Sequence, residues 1–354
     1  MSALAGRARW IAPGLVIAIV AATAFTLVAL GFDVSRAARA LVNGSFGSWY
    51  AFGSGTLVRA TPLILTGLAV ALAFQSGVFN IGAEGQFLTG AAAASAIALA
   101  GSRAPSWVLV IGLLVGGSIA GAAWAWIAAV LRARFHVLEV ISTIMLNFVA
   151  AYLVSYLVRG PLQEPTHIYP QTATFVAAAQ LPRFGPTTRL HIGFAIACAA
   201  CVICWWALRY TAAGFRARVA GANPNAARSA GGIDVRRVTT RAFVLSGALA
   251  GLAGAVEVSG VTYALYENIS PGFGYTAIAV ALLARLDALA VLGTGILFGA
   301  LEAGATAMQR DAGVPSVVVS VVEASVILVM VAADRARIGR GMGGGRMAGA
   351  GVAS

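Results

Sequence analysis

The chain reads as an all-α polytopic membrane protein, on three observations. Apolar residues fill 60% of its 354 positions and charged ones only 10%, with a mean hydropathy of +0.87, whereas water-soluble domains carry about a quarter charged residues. Apolar stretches near the ~20 residues that cross a bilayer as helix recur along the whole sequence. The 42 glycines include pairs four apart, Gly112 with Gly116, Gly117 with Gly121 and Gly295 with Gly299, the spacing that lets helices approach closely in lipid.

The stretches fall at about 11–32, 60–79, 86–100, 107–131, 137–158, 191–210, 242–262, 274–286, 288–308 and 315–333, which gives about ten transmembrane helices. An even number puts both termini on one side. That side would hold 16 of the 24 basic residues, among them Arg7, Arg9, Arg216, Arg218 and Arg335, so the positive-inside rule makes the N- and C-termini cytoplasmic. The first stretch is longer than the ~7–15 apolar residues of a signal peptide and is expected to stay as an anchor. Residues 1–334 are expected to form one transmembrane domain, with a proline-rich external loop at 159–190 and a cytoplasmic loop at 211–240. Residues 335–354, rich in glycine and arginine, read as a disordered cytoplasmic tail.

Two stretches are too short to cross. One is 86–100, behind Gly82-Ala83-Glu84-Gly85, and the other is 274–286, behind Pro271-Gly272-Phe273-Gly274. Each is the second member of a four-stretch block, 60–158 and 242–333, and the blocks open alike on Leu65-Thr66-Gly67 and Leu245-Ser246-Gly247. The blocks start on opposite sides, so two inverted four-helix repeats with broken helices are expected. Broken backbone survives at membrane depth where it lines a cavity, so this pattern points to a transport path.

A carboxylate at membrane depth costs about 2.5–3.5 kcal/mol on insertion scales, which singles out Glu84, Glu257, Glu302 and Glu323. Glu84 is flanked by Asn80 and Gln86; it lines a path or caps the following helix. Asn147, in the middle of its stretch, bridges helices or lines the same path.

Several function classes are excluded. All 24 basic residues are arginine, so the chain lacks the lysine of a P-loop or a Schiff base, and any ATP and magnesium must be used by a partner. A net charge of +12 and a pI near 10.7 fit arginines in cytoplasmic loops and against anionic headgroups, not nucleic acid. Cys198, Cys201 and Cys204 share one apolar stretch and imply packing, without a disulfide framework. His136, His167 and His191 lie near stretch ends or in loops, outside any Ser-His-Asp or H-E-x-x-H pattern. No catalytic residue, metal set or bound cofactor is assigned, and His136 is taken as a cytoplasmic-interface residue.

The cytoplasmic loop carries clear helix punctuation. Asn223 caps a helix whose first residue is Pro224, Ala226-Ala227-Arg228 propagate it, and Gly231-Gly232 stop it. Such a helix of about seven residues is too short to stand alone and is expected to be ordered by docking. Arg218, Gly221, Asn223, Pro224, Ala226, Ala227, Gly232 and Ile233 form a pattern R-x-x-G-x-N-P-x-A-A-x-x-x-x-G-I. It resembles the coupling segment of permease subunits of ABC importers in the sugar, nucleoside and branched-chain amino-acid branch, with one residue more before the final Gly-Ile. Phe79-Asn80-Ile81-Gly82-Ala83-Glu84-Gly85-Gln86 and Glu139 to Asn147 resemble the nucleoside-type members, which work with a basic-membrane-lipoprotein binding subunit. Leu138 departs from that pattern, where asparagine is frequent.

The resemblance covers roughly residues 55–335. It implies a multi-pass subunit of the bacterial inner membrane with three kinds of partner: an ABC ATPase, a second permease chain in a heterodimer, and an extracytoplasmic substrate-binding lipoprotein. Phe79, Asn80, Glu84, Gln86, Asn147 and Glu257 are then expected along the path of a nucleoside or related small polar solute. A simple sugar, a branched-chain amino acid or an ion-coupled secondary transporter are the alternatives.

Overall fold

The computed structural model describes residues 24–315 together with Ala21, Val317 and Val321. Most of the expected first and last stretches, Glu323 and the tail at 335–354 lie outside the described residues. Among the described residues there is no strand, only isolated bridges at Gln171–Tyr266 and Arg183–His191.

The helices are α1 (Val34–Phe46), α2 (Val58–Gln75), α3 (Ala83–Ala100), α4 (Ser106–Phe135), α5 (Glu139–Arg159), α6 (Gly193–Tyr210), α7 (Ala212–Ala222), α8 (Pro224–Gly231), α9 (Val235–Glu257), α10 (Phe273–Leu283) and α11 (Ala290–Ala312). A π-helical segment, Ala51–Leu57, leads into α2, and a second, Val258–Thr262, continues α9. Among the described residues six helices are long and apolar enough to cross a membrane: α4, α5, α6, α11, and α2 and α9 with their π segments.

Three boundaries differ from the sequence reading. The helix α1 was not expected, because its apolar residues alternate with Arg36, Arg39 and Asn43 and form no continuous run; Asp33 caps it by accepting from the Ser35 and Arg36 amides. The helix α9 starts at Val235, seven residues before the apolar stretch at 242. Its first turns are arginine- and threonine-rich but fully helical, with the Asp234 side chain accepting from the Arg237 amide. The break before α3 lies at residues 76–82, so Glu84 sits in the first helical turn, not in irregular backbone.

Two compact units make up the described residues. In the smaller, Ala37 and Ala40 of α1 share a core with Ala305 and Met308 of α11. The larger unit spans residues 48–300. There α2 packs on α9 and α10, and α9 packs on α3 and α4. The crossing is reciprocal: the leading helix of each sequence block lies on the short helix of the other. α2 and α9 are buried over most of their length, while α4, α5 and α6 keep most of their apolar surface outward.

Small residues set these distances. A methyl at Gly251 would collide with the Gly117 carbonyl oxygen, one at Gly90 with the Gly251 backbone, and one at Gly121 with the Gly247 carbonyl oxygen. Gly295 and Gly299 likewise face Ile64 and Ala60 of α2. Lipid supplies no hydrophobic drive between helices, so close backbone approach is what holds α3, α4 and α9 together. The three cysteines are free, with Cys201 buried in the packing.

The segment 160–192 forms an ordered layer against the C-terminal end of α9 and the residues that follow it. The Thr172, Phe175 and Leu181 amides donate to the Leu265, Tyr263 and Ser259 carbonyls, each at 2.8 Å. Arg159 pairs with Glu267 at 2.6 Å. That hydrogen bond, with a second from the Ser155 hydroxyl, holds the Glu267 carboxyl below its ordinary range.

Gly251→Val should lower the stability of the purified protein by about 1–3 kcal/mol or more, as overpacked cores do. Gly293→Val, which meets open space, should change it little. Thermal unfolding in detergent measures both, and equal melting points would overturn the packing account.

Candidate functional site

Four of the polar residues singled out from the sequence, Asn80, Glu84, Gln86 and Asn147, come together at the start of α3, while Glu302 lies on α11. Asn80 and Gln86 form a reciprocal amide pair, with Asn80 Nδ2 donating to Gln86 Oε1 at 2.9 Å and Gln86 Nε2 donating to Asn80 Oδ1 at 3.0 Å. Asn80 Oδ1 also accepts from the Gly82 amide. Asn80 Nδ2 reaches the Ser246 hydroxyl on α9 at 2.9 Å, and that hydroxyl donates to the Ala69 carbonyl on α2 at 2.7 Å. The seven-residue break between α2 and α3 is thereby tied to both long inner helices.

Asn147 of α5 clamps the same turn from the other side. Its Oδ1 accepts from the Gly85 amide at 2.8 Å, and its Nδ2 donates to the Ile81 carbonyl at 2.9 Å and to Tyr275 Oη at 3.3 Å. A buried amide left without partners costs about 1–3 kcal/mol per group, so this side chain satisfies the irregular backbone that a membrane penalises.

Glu84 joins the two short helices. Its Oε2 accepts from the Gly274 amide in the first turn of α10 at 2.7 Å. Ser270 Oγ accepts from the Gly272 and Phe273 amides. A carboxylate at a helix N-terminus is favoured by the unpaired amides and the dipole, and Glu84 lies in the first turn of α3 while capping α10. Its partner Gly274 has no room for a side chain, since a methyl there would run into the Glu84 backbone. Phe87 and Phe273 pack at 5.6 Å beside this contact.

Asn80, Glu84, Gln86 and Asn147 are all buried, whereas Phe79 is 55% exposed and Tyr275 44% exposed. The Phe79 ring is braced edge-on by Phe74 at 5.2 Å. Glu257 stands apart: it is buried at the C-terminal end of α9, eleven residues beyond Ser246, which is about 16 Å along a helix. The charges that act on it are those of Arg59 and Arg189. Of the six residues expected along one path, Asn80, Glu84, Gln86 and Asn147 thus gather around one turn, Phe79 is an exposed ring beside it, and Glu257 is a separate carboxylate. Ser246, Gly274 and Tyr275 complete the network, with Ser270 capping the start of α10 beside it, and none was assigned to it from sequence. Ser246 and Gly274 were visible only as parts of the repeat echo and the helix break.

The loop at 211–240 carries its expected helix. The Asn223 side chain accepts from the Asn225 and Ala226 amides, Pro224 occupies the first helical position, and Gly232 closes the helix at φ 57°. Ala227 is buried with Ala220 and Val235, and Ile233 packs against them. Asn223, Pro224, Ala226 and Arg228 face outward. The Arg218 guanidinium donates to the Leu208 carbonyl near the end of α6. Gly221 crosses the end of α2, where a methyl would strike the Gln75 carbonyl oxygen and the Gly77 amide. Gly221 therefore sits directly against the break that leads to Phe79 and Asn80. At the end of α4, Arg132 pairs with Glu139 at 3.4 Å, and His136 takes the left-handed cap position at φ 56°.

Comparison with known proteins places this architecture. The chain is 39% identical over 312 residues to a guanosine ABC transporter permease protein of Bacillus subtilis (strain 168), covering 87% of this chain and 88% of that protein. It is 38% identical over 347 residues to a glucose ABC transporter permease protein of Haloferax volcanii, covering 93% and 90%. It is 32% identical over 314 residues to a nucleoside ABC transporter permease protein of Lactococcus lactis subsp. cremoris, covering 86% and 85%. From residue 54 to residue 332 it matches, and it belongs to, the family described as branched-chain amino acid transport system / permease component.

Proposed function

We propose that this chain is the transmembrane subunit of an ATP-driven importer that carries nucleosides across the inner membrane. The observation that carries the reading is the contact of Gly221 with the end of α2, which joins an outward-facing, doubly capped helix to the polar network at the broken helices. In this reading ten spans include the sequence stretches 11–32 and 315–333, both termini are cytoplasmic, and blocks 60–158 and 242–333 are inverted repeats. The reciprocal packing of α2 on α10 and α9 on α3 supports the repeats.

The coupling residues divide the work. Pro224, Ala226 and Asn223 present α8 to a partner ATPase, which binds the ATP and magnesium. Ala227 and Ile233 fix α8 to its own chain, and Arg218 fixes α7 to the end of α6. Closure of the ATPases moves α8 and α7, and Gly221 passes that displacement to residues 76–82. The network then shifts between two arrangements, the physical content of a nucleotide-driven switch. A second permease chain completes the path as a heterodimer, and an extracytoplasmic lipoprotein delivers the solute.

Asn80, Glu84, Gln86 and Asn147 shape the path by holding its backbone, while Phe79 and Tyr275 offer surface to the solute. A base stacks on the exposed Phe79 ring, whose edge-on partner Phe74 keeps it in place. Such contacts are weak and transient, as a conduction path requires. Glucose is the second reading, supported by the Haloferax relative.

Uptake of labelled guanosine and uridine into spheroplasts expressing the chain with its neighbouring genes tests the proposal. Uptake that needs ATP, survives a protonophore and resists excess glucose is the expected result. Competition by glucose transfers the assignment to a sugar, and loss with the protonophore at full ATP replaces the importer by a secondary transporter. Pro224→Arg should abolish uptake without lowering the amount of protein in the membrane, because it alters α8 and no span; normal uptake would sink the coupling role. Glu84→Ala removes the acceptor of the Gly274 amide and should cost about 1–3 kcal/mol and impair uptake, with ATPase association retained. Loss of assembly in that variant would make Glu84 purely structural.

A further inference from the structure

A crevice of about 420 Å³ opens in the side of the larger unit between α2, α6, α7 and α9. Leu72, Ile203, Leu208, Leu245, Leu249 and Leu252 form its body. Leu245 and Ile203 are 56% and 62% exposed, so the crevice faces the surroundings of the spans and not the interior of the unit.

Its few hydroxyls are already satisfied. Ser76 Oγ donates to the Leu72 carbonyl, Ser118 Oγ to the Leu114 carbonyl and Thr211 Oγ1 to the Ala207 carbonyl, at 2.8, 2.8 and 2.6 Å. A pool of water needs two to four polar partners per molecule, and this cavity holds none in waiting, so its body suits a hydrocarbon. The end of the crevice is different. Arg216 of α7 and Arg241 of α9 line it there, both exposed, and among the described residues neither forms an ion pair. Arg216 Nε donates to the Ala212 carbonyl at 3.1 Å, which fixes the side chain on its helix and leaves the guanidinium ends for a ligand.

We infer that this crevice is a binding site for an anionic phospholipid, with an acyl chain between α6 and α9 and the phosphate between Arg216 and Arg241. Charge complementarity selects the occupant: an apolar shaft with two guanidiniums at one end fits a hydrocarbon tail bearing a negative head. A zwitterionic lipid would fill the shaft but gain less at the head. The site adjoins α7, the element that carries Gly221, so a bound lipid would brace the junction at Thr211 between α6 and α7. The inference stands whichever solute the chain carries.

Photolabelling in nanodiscs tests it, using the full chain purified with its co-expressed partners. Two probes are compared, phosphatidylglycerol and phosphatidylcholine bearing the same diazirine acyl chain, and adducts are mapped to residues 203–217 and 238–252. Each arginine near the surface contributes a modest electrostatic gain, so the two together should favour phosphatidylglycerol by roughly thirtyfold. Arg216→Gln with Arg241→Gln should reduce its labelling to the phosphatidylcholine level, while labelling on α5 stays unchanged. Equal labelling by both lipids, undiminished labelling in the double variant, or displacement by millimolar inorganic phosphate would each overturn the proposal. Absence of lipid adducts from these segments would do so as well.

Discussion

Everything near the centre of this molecule depends on the rule that backbone amides and carbonyls must be paired where water is absent. The chain interrupts its helices twice, at residues 76–82 and 263–272, and Glu84 repairs the second break by accepting from the Gly274 amide. Asn80, Gln86 and Asn147 repair the first, together with Ser246. A single carboxylate at the meeting point of two helix N-termini costs less to bury than an unpaired one, because both ends present unpaired amides and positive dipole to it. The short helices, the polar cluster and the helix order are consequences of one requirement.

Close packing is the second condition. Glycines at 90, 117, 121, 247 and 251 bring α3, α4 and α9 within backbone contact, which sets the distance at which Asn80 on the break can reach Ser246 on α9. Larger residues would separate the helices and leave those amides without partners. The hydrogen-bonded network and the glycine seam therefore stand or fall together.

Much of this was legible in the sequence for physical reasons. Apolar length reports a span directly, so α4, α5 and α6 fall within a few residues of the stretches that announced them. The α8 punctuation was equally readable, because Asn223, Pro224 and Gly232 each act through local backbone chemistry. What sequence did not reveal depends on partners far along the chain. Ser270 and Tyr275 look like ordinary loop and helix residues, and only folding brings Tyr275 to Asn147, 128 positions away. Glu257 looked equivalent to Glu84 by hydropathy, yet helical rise carries it to the other end of α9. α1 escaped notice because amphipathic helices leave no continuous apolar run.

The ordered layer at 160–192 has a mechanical consequence. Its amides are bonded to carbonyls just beyond α9, and the same helix carries Ser246 some 13 residues earlier, about 20 Å away. α9 is thus a rod with the buried network near its middle and a surface plate fixed to its C-terminal end. A load placed on that plate is borne by the rod, and a displacement of the network tilts the plate. The layer at 160–192 and the buried amides share one lever arm, so a displacement of either is passed along α9 toward the other.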